Sequence, residues 1–383
     1  MNTPASSSGA ARTSVRTDDA GGAQLGLEAP AGNPRYPQVD ALRALAAISV
    51  LLYHASVVQR FPGFVQRLAS HGNIGVVLFF LISGFLLYRP FVTARQGTAP
   101  RVRVKRFYLA RLLRIVPAYW LALTLIAIWP GVPMYGSRWW QLYLFGQIYD
   151  PHTVFAGLGP AWSLCVEMSF YLLLPLYALA AGALWQLVRG ERARCLVEVA
   201  LLAILALVSI GVHVWISHHQ ADANLGFTLP GTFYLFAVGM GLAVISTQPW
   251  YPSLFERWRG WSSASWAIAV LVFVAIATTL SSASTGSVNP AYVPTALLLL
   301  LPAIAPAQGL PVRIASLGWL RWLGAVSYAI YLWHQVIVVQ VARHVESVWL
   351  TVAIASVLVV CVAAASYYLV ESPFLRLKAR LRG

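Results

Sequence analysis

Residues 39–59, VDALRALAAISVLLYHASVVQ, decide the fold class of this chain. The stretch is apolar along nearly its whole length, and it matches the roughly 20 residues that a helix needs to cross a bilayer. Arg43 and His54 interrupt it, eleven residues apart. Eleven residues complete about three helical turns, so both side chains lie on one face, about 16 Å apart along the axis. The stretch therefore predicts a membrane helix that carries two polar groups on one side.

Apolar stretches of similar length recur along the chain. They predict these spans: 39–59, 73–92, 107–129, 162–188, 196–217, 227–246, 263–281, 291–308, 322–344 and 347–370. The aromatic segment 137–149 is too short to span, and we expect it to be interfacial or re-entrant. Only 10% of the residues are charged, against about a quarter in soluble domains. We predict an all-α polytopic membrane protein, a bundle of about ten transmembrane helices in a lipid bilayer.

The basic residues predict the orientation of this bundle. The net charge is +15, and the charges form clusters between the apolar runs, as in cytoplasmic loops of membrane proteins. That distribution argues against a nucleic-acid partner. Roughly 22 basic residues fall on the side of the N-terminus and roughly 4 on the other side. The positive-inside rule then places both termini in the cytoplasm.

The composition divides the chain into three parts. Residues 1–34 are rich in Ala, Gly, Ser and Thr and lack the apolar core of a signal peptide, so we predict a disordered cytoplasmic tail. Residues 35–377 form the predicted membrane domain, and residues 378–383 a basic cytoplasmic tail with no soluble domain after it. The three cysteines have neither disulfide nor metal-ligand spacing. We expect no metal and no bound cofactor.

Charged groups inside a bilayer cost about 2.5 kcal/mol or more each, so each one suggests a role. The fourth predicted span enters from the outer side and places Glu167 about 8 Å below its outer end. His54 reaches a similar depth from the opposite direction. A carboxylate beside an imidazole raises its basicity and fixes its tautomer, as a general base requires. A structural ion pair, an interior histidine bonded to a neighbouring helix, or two residues that never meet would explain the same pattern.

Arg111 and Arg114 lie three residues apart in the third predicted span, so they are neighbours on the helix surface. Guanidinium groups within an apolar pattern favour a phosphate or carboxylate partner. Together with Arg43 they would form an anion site at the cytoplasmic face. Ordinary cytoplasmic charge is the alternative for the pair, and snorkelling to the headgroups is the alternative for Arg43. Tyr331 and His334 share a face of the ninth span, where aromatic packing is an equal explanation.

Six short motifs occur in order along these spans. They are Asp40-Ala-Leu-Arg43-Ala with His54; Phe79-Phe-Leu-Ile-Ser83-Gly84-Phe; Arg111-Leu-Leu-Arg114-Ile-Val-Pro117; Trp162-Ser-Leu-Cys-Val-Glu167, continuing to Tyr171; Gly324-Ala-Val-Ser327-Tyr-Ala-Ile-Tyr331-Leu-Trp-His334; and Glu371-Ser-Pro373-Phe. In these motifs the chain resembles the acyltransferase 3 family of membrane-bound O-acyltransferases, from about Tyr36 to Leu377. Substrate binding or support of the site is expected of Asp40, Ser83, Trp162, Tyr171, Tyr331 and His334.

The resemblance implies an acyl-CoA donor bound from the cytoplasm, acetyl-CoA by prevalence in the family. It implies a hydroxyl acceptor on a sugar, glycolipid or macrolide, and a catalytic role for His54. We expect His54, oriented by Glu167, to take the hydroxyl proton while Arg43, Arg111 and Arg114 hold coenzyme A. Ser83, or a backbone group exposed by Gly84, would stabilise the oxyanion. The expected location is a bacterial inner or plasma membrane.

Two other functions fit the same residues. A transporter or flippase would also place Arg, His and Glu inside a bundle as a relay. Inverted hydropathy repeats would favour that function, and the sequence shows no convincing pair. A non-catalytic relative of the family would lack the residues at positions 43 or 54, and both are present. An acyl-histidine intermediate stays open beside direct transfer.

Overall fold

The computed structural model describes residues 36–134, 136–219, 223–256, 260–280 and 288–380. Within these ranges the chain is helical and contains no β-strand. The predicted tail at residues 1–34 lies outside the described residues, and so do residues 381–383 of the predicted C-terminal tail. The all-α prediction is confirmed, whereas the domain boundaries stay predictions.

The described residues contain sixteen α-helices. The first half of the chain contains α1 (Pro37–Val58), α2 (Gly63–Ala69), α3 (Ile74–Arg95), α4 (Val104–Ile128), α5 (Trp139–Tyr143), α6 (Trp162–Leu187) and α7 (Glu191–His219). The second half contains α8 (Leu229–Ile245), α9 (Ser253–Glu256), α10 (Trp261–Thr279), α11 (Val293–Ile304), α12 (Leu310–Ala315), α13 (Gly318–Ala325), α14 (Ser327–Ala342), α15 (Val348–Ser366) and α16 (Ser372–Arg380). A π-helical turn, Tyr367–Glu371, joins α15 to α16.

Within the described ranges, eight helices are long and apolar enough to cross a bilayer. A ninth span results if α13 and α14, which meet at a bend of 73°, are counted together. The predicted span at 291–308 contains only a shorter apolar helix, Pro290–Ile304. This helix ends there because Ala305 precedes Pro306 and is extended, as the residue before a proline prefers. The chain is a multi-pass membrane protein, and its orientation stays a prediction.

The aromatic segment at 137–149 folds into short helices that are no candidates for spanning. It comprises the 3-10 helices Gly136–Arg138 and Gln147–Tyr149 on either side of α5. The hydroxyl of Tyr119, on α4, donates a hydrogen bond of 2.8 Å to the carbonyl of Leu142. The segment is thereby fixed against the adjacent spanning helix.

The centre of the bundle is built on close contact between α3 and α8. A Cβ atom added to Gly84 would lie 2.3 Å from the carbonyl oxygen of Phe236, and one added to Gly239 would lie 2.1 Å from that of Leu81. Only glycine permits this approach of two backbones, a common device in membrane helix packing. In contrast, only 22% of the apolar window of α7 is buried. We therefore place α3 and α8 in the core and α7 at the lipid-facing periphery.

The bend between α13 and α14 also depends on a glycine contact. A Cβ atom added to Gly324 would lie 1.8 Å from the carbonyl oxygen of Asp40, so α13 packs directly on the backbone of α1. After the bend, α14 enters the bundle and buries Ser327, Tyr331 and His334. The geometry of this bend thus determines where the residues of α14 lie relative to α1.

Candidate active site

Two cavities open between the central helices. The arginine cavity has an empty volume of about 1150 Å³, and its polar lining includes Asp40, Arg43, Arg111, Arg114, Glu167 and Tyr171. The histidine cavity has an empty volume of about 830 Å³, and its polar lining includes Tyr53, His54, Asn73, Trp162 and Gln335. Val76 and Tyr331 line both cavities. The two spaces therefore meet at these side chains.

The arginine cavity brings together the three guanidinium groups that the sequence predicted as neighbours. Arg43 comes from α1, whereas Arg111 and Arg114 come from the first turns of α4. Arg43 interacts electrostatically with Arg114 and also with the carboxylates of Asp40 and Glu167. Basic side chains thus converge in one cavity from two helices, while carboxylates on α1 and α6 offset part of their charge. Their role toward a ligand stays a prediction.

Glu167 lies in the arginine cavity, where it accepts one hydrogen bond from α3 and one from its own helix, α6. The hydroxyl of Ser83, on α3, donates to one carboxylate oxygen at 2.6 Å. The hydroxyl of Tyr171, one turn further along α6, donates to the other at 2.9 Å. The prediction that Glu167 orients His54 is therefore wrong. The sequence predicted the two residues at a similar depth, but they line different cavities, because depth along a helix does not determine direction around the bundle.

His54 is paired with a second histidine instead. Its Nδ1 lies 2.9 Å from the carbonyl oxygen of Val50 and 3.1 Å from Nε2 of His334. On the other side, Nδ1 of His334 lies 2.8 Å from the carbonyl oxygen of Tyr331. A carbonyl only accepts hydrogen bonds, so each Nδ1 carries a proton when both rings are neutral. His334 then accepts through Nε2 from His54.

This arrangement leaves Nε2 of His54 unprotonated. The orientation of a histidine general base depends on the hydrogen bond made by its other ring nitrogen. Here that nitrogen, Nδ1 of His54, faces both the carbonyl of Val50 on α1 and the fully buried His334 on α14. His54 is partly buried and lines the histidine cavity. The geometry suits removal of a proton from a group bound in that cavity.

Ser83 and Gly84, the residues of the predicted oxyanion role, lie on α3. The hydroxyl of Ser83 donates to Glu167 in the arginine cavity. The Cα of Gly84 faces the backbone of Phe236, so this glycine serves helix packing rather than exposing a backbone group. Neither residue lines the histidine cavity, and the oxyanion role stays a prediction. Polar side chains that line the histidine cavity, and that the sequence analysis missed, are Tyr53, Asn73 and Gln335.

Trp162 and Tyr331 lie where the two cavities adjoin. Trp162 lines the histidine cavity and packs edge-on against Phe227, with ring centroids 4.9 Å apart. The hydroxyl of Tyr331 donates to the carbonyl of Pro160 at 2.9 Å and shares a hydrogen bond of 2.7 Å with Ser163. These bonds hold α14 against the start of α6. Tyr331 thus forms a fixed part of the wall between the two spaces.

Two buried carboxylates had no predicted role. Glu371, in the π-helical turn, is 4% exposed and interacts electrostatically with Arg114 and Arg43. Glu198, on α7, forms a buried ion pair with Arg95 and accepts a hydrogen bond from Tyr88. A carboxylate inside a predicted span, as Glu198 is, was a signal that could have identified it from the sequence.

The fold and the site define a multi-pass membrane protein with a pair of histidines in contact and a separate cluster of arginines. A family model described as an acyltransferase domain matches residues 36–369, and the chain belongs to this acyltransferase 3 family. No solved structure matches the chain.

The similar curated proteins are bacterial. The chain is 25% identical to a putative peptidoglycan O-acetyltransferase, YrhL, of Bacillus subtilis. The alignment covers 88% of this chain and 54% of the relative. It is 24% identical to the peptidoglycan O-acetyltransferase OatA of Listeria monocytogenes, in an alignment that covers 79% of this chain and 49% of the relative. The O-acetyltransferase OatA of Staphylococcus aureus is 25% identical over 89% of this chain and 57% of the relative. The chain thus spans about half the length of the curated relatives it matches.

Proposed function

We propose that this chain is a membrane-embedded O-acyltransferase of a bacterial plasma membrane. It moves an acyl group, acetyl in the simplest case, from acyl-CoA to a hydroxyl of a sugar, glycolipid or macrolide-type acceptor. The observation that carries the proposal is the placement of Arg43 and His54 on one helix, each lining a different cavity. The two cavities adjoin at Tyr331, so the proposed anion site and the proposed basic histidine lie in neighbouring spaces.

The arginine cavity suits the phosphates of coenzyme A. Guanidinium groups bind phosphate through charge-assisted, often bidentate, hydrogen bonds. Arg43, Arg111 and Arg114 supply such groups from two helices. With the phosphates held there, the extended pantetheine arm would run along α1 toward Tyr331 and present the thioester at the histidine cavity. Arg43 and His54 lie eleven residues apart, or about 16 Å along the axis, which only an extended ligand can bridge.

The chemistry assigned to His54 is general base catalysis. The acceptor oxygen attacks the thioester carbonyl carbon while Nε2 of His54 takes the hydroxyl proton. The carbon–sulfur bond then breaks, an ester forms, and the proton passes to the departing thiolate of coenzyme A. His334, through its contact with Nδ1 of His54, keeps the base in the required tautomer. Direct transfer needs no covalent enzyme intermediate.

The relatives support a carbohydrate hydroxyl as acceptor and acetyl as acyl group, because their names give peptidoglycan O-acetylation. Aromatic and polar side chains together suit a sugar, whose hydroxyls and C–H faces need both. The histidine cavity offers Trp162 and Phe155 beside Asn73 and Gln335. We propose that the acceptor binds in this cavity and the donor in the arginine cavity.

The test is release of coenzyme A by the purified full chain given acetyl-CoA and a panel of sugar, peptidoglycan-fragment and macrolide acceptors. Wild type is compared with His54→Ala and Arg43→Ala, and with His344→Ala as a control. His344 lies exposed just after the end of α14, outside both cavities. Size-exclusion chromatography checks that each variant is folded.

We expect acceptor-dependent release by wild type and by His344→Ala, loss of turnover in His54→Ala, and a raised KM for acetyl-CoA in Arg43→Ala. Full turnover by His54→Ala would overturn its role as the base. A folded wild-type protein that does not bind acetyl-CoA would overturn the proposed function and favour transport.

A further inference from the structure

The bend between α13 and α14 turns the N-terminus of a long helix toward the arginine cavity. α14 begins at Ser327, and both Ser327 and Tyr328 line that cavity. The preceding residue, Val326, provides no side-chain capping bond. The first N–H groups of a helix have no acceptor within it, and the helix dipole is positive at that end. An uncapped helix start inside a cavity is a favourable place for an anion.

The Ser327 side chain is a second and independent indication of a ligand. It is fully buried, its hydroxyl has no hydrogen-bond partner, and it lines the arginine cavity. Buried hydroxyl groups almost always have a partner, because a buried polar group without one costs free energy. Its position at the uncapped start of α14 makes an incoming oxygen atom the natural partner.

Contacts on both sides of Ser327 fix this helix start beside the arginines. The hydroxyl of Tyr328 donates a hydrogen bond of 2.8 Å to the carbonyl of Ile115, the residue after Arg114. Gly324, before the bend, packs on the backbone of Asp40, about one turn before Arg43. The first turn of α14 is thus held between the helix turns that carry Arg43 and Arg114.

We propose that the first turn of α14, with the Ser327 hydroxyl, binds a phosphate group in the arginine cavity. Phosphate suits this set because its several oxygens can accept bonds from backbone N–H groups, a hydroxyl and guanidinium groups at once. The identification of that phosphate as part of coenzyme A rests on the proposed function. The observations that support the binding site itself are the unpartnered hydroxyl of Ser327 and the bend that brings the start of α14 to the arginine cavity.

The test measures binding to the purified full chain by calorimetry, with coenzyme A, pantetheine and inorganic pyrophosphate as probes. Pantetheine lacks every phosphate of coenzyme A. The variants are Ser327→Ala and Ser327→Thr, which keeps the hydroxyl. Ser366→Ala is the matched control, because Ser366 on α15 also has a buried hydroxyl with no hydrogen-bond partner, but it does not line the arginine cavity. Thermal unfolding checks each variant.

We expect Ser327→Ala to weaken coenzyme A and pyrophosphate binding by about tenfold and to leave pantetheine binding unchanged. Ser327→Thr restores most of the affinity, and Ser366→Ala changes none of it. Equal losses for coenzyme A and pantetheine, or no loss for either phosphate probe, would overturn the proposal.

The pyrophosphate arm separates this proposal from the proposed function. If wild type binds pyrophosphate in a Ser327-dependent manner but does not bind coenzyme A, the result supports the phosphate site and contradicts acyl-CoA as the donor. If wild type binds neither probe, the result contradicts both the phosphate site and the acyl-CoA donor. If it binds coenzyme A with no dependence on Ser327, only the phosphate site falls.

Discussion

His334 Nε2 lies 3.1 Å from His54 Nδ1, although the two residues are 280 positions apart in the chain. The contact joins α1 to α14 at the wall of the histidine cavity. Because His334 is itself held by backbone carbonyls, it has one ring nitrogen left with which to accept. His334 therefore acts as a positioning residue for the candidate base.

Replacement of His334 should impair turnover rather than donor binding. In His334→Phe the ring volume is nearly kept, but the imidazole that contacts Nδ1 of His54 is lost and only the carbonyl of Val50 remains as an acceptor. We expect kcat to fall by about 10- to 100-fold with the KM for acetyl-CoA nearly unchanged. Steady-state kinetics of coenzyme A release measures both, with His344→Phe as the exposed control. A raised KM at unchanged kcat would contradict the positioning role.

Glu167 should show the opposite kinetic pattern. Glu167→Gln and Tyr171→Phe each disturb the hydrogen bonds of Glu167 in the arginine cavity, one from Ser83 on α3 and one from Tyr171 on α6. We expect either change to raise the KM for acetyl-CoA by about 5- to 50-fold and to affect kcat less, since hydrogen bonds to a charged group contribute about 1.5–3 kcal/mol. A large fall in kcat at unchanged KM would restore Glu167 as a partner of the base.

The contact between α3 and α8 predicts a difference between two glycines of one helix. Gly239→Ala would place a Cβ atom 2.1 Å from the carbonyl oxygen of Leu81, whereas Gly241 has nothing within 4 Å of the same position. We expect Gly239→Ala to destabilise the protein by about 1–3 kcal/mol. Gly241→Ala should be neutral or stabilise it by up to about 1 kcal/mol. Thermal unfolding in detergent compares the two, and equal stabilities would argue against the close approach.

The buried ion pair between Arg95 and Glu198 predicts a strong asymmetry between single and double variants. Glu198→Ala leaves a buried guanidinium uncompensated, so we expect a loss of about 3–5 kcal/mol. Replacing both partners, as Arg95→Met with Glu198→Leu, should recover most of that loss.

Thermal unfolding of the single and double variants measures this difference. Arg138→Ala is the control, because Arg138 pairs with Asp150 at 3.3 Å and its side chain is 45% exposed. We expect little change in that variant. A double variant as unstable as Glu198→Ala would show that the loss comes from packing rather than from charge.

The apolar pattern predicted each stretch that folds into a membrane helix. It did not predict the bend between α13 and α14 or the early end of α11. The bend at Val326 has no proline to announce it, and it coincides with contact between Gly324 and the backbone of Asp40. The helix that ends at Ile304 is followed by Pro306, a residue that disfavours helix at the position before it. Hydrophobicity over a window of about 20 residues records how much of a segment is apolar. It does not record which backbone the segment touches.

The sequence predicted the cluster of three arginines from two helices, but it did not predict which residue contacts His54. Arg111 and Arg114 are one turn apart, and the arginine cavity contains both. Glu167 and His54 were predicted at a similar depth, yet they line different cavities. Position along a helix follows from counting residues, whereas the direction of a side chain around a bundle follows from packing. His334 was identified as a polar residue, but only the fold shows that it meets His54.

α14 has Ser327 in the arginine cavity and His334, about two turns later, in contact with His54. Over that length a hydrogen-bonded helix behaves as a stiff rod, so a shift or rotation of one end reaches the other almost undiminished. Any displacement of the first turn of α14 would therefore change the distance between His334 and His54. The proposed phosphate site and the candidate base are thus mechanically coupled through one rigid helix.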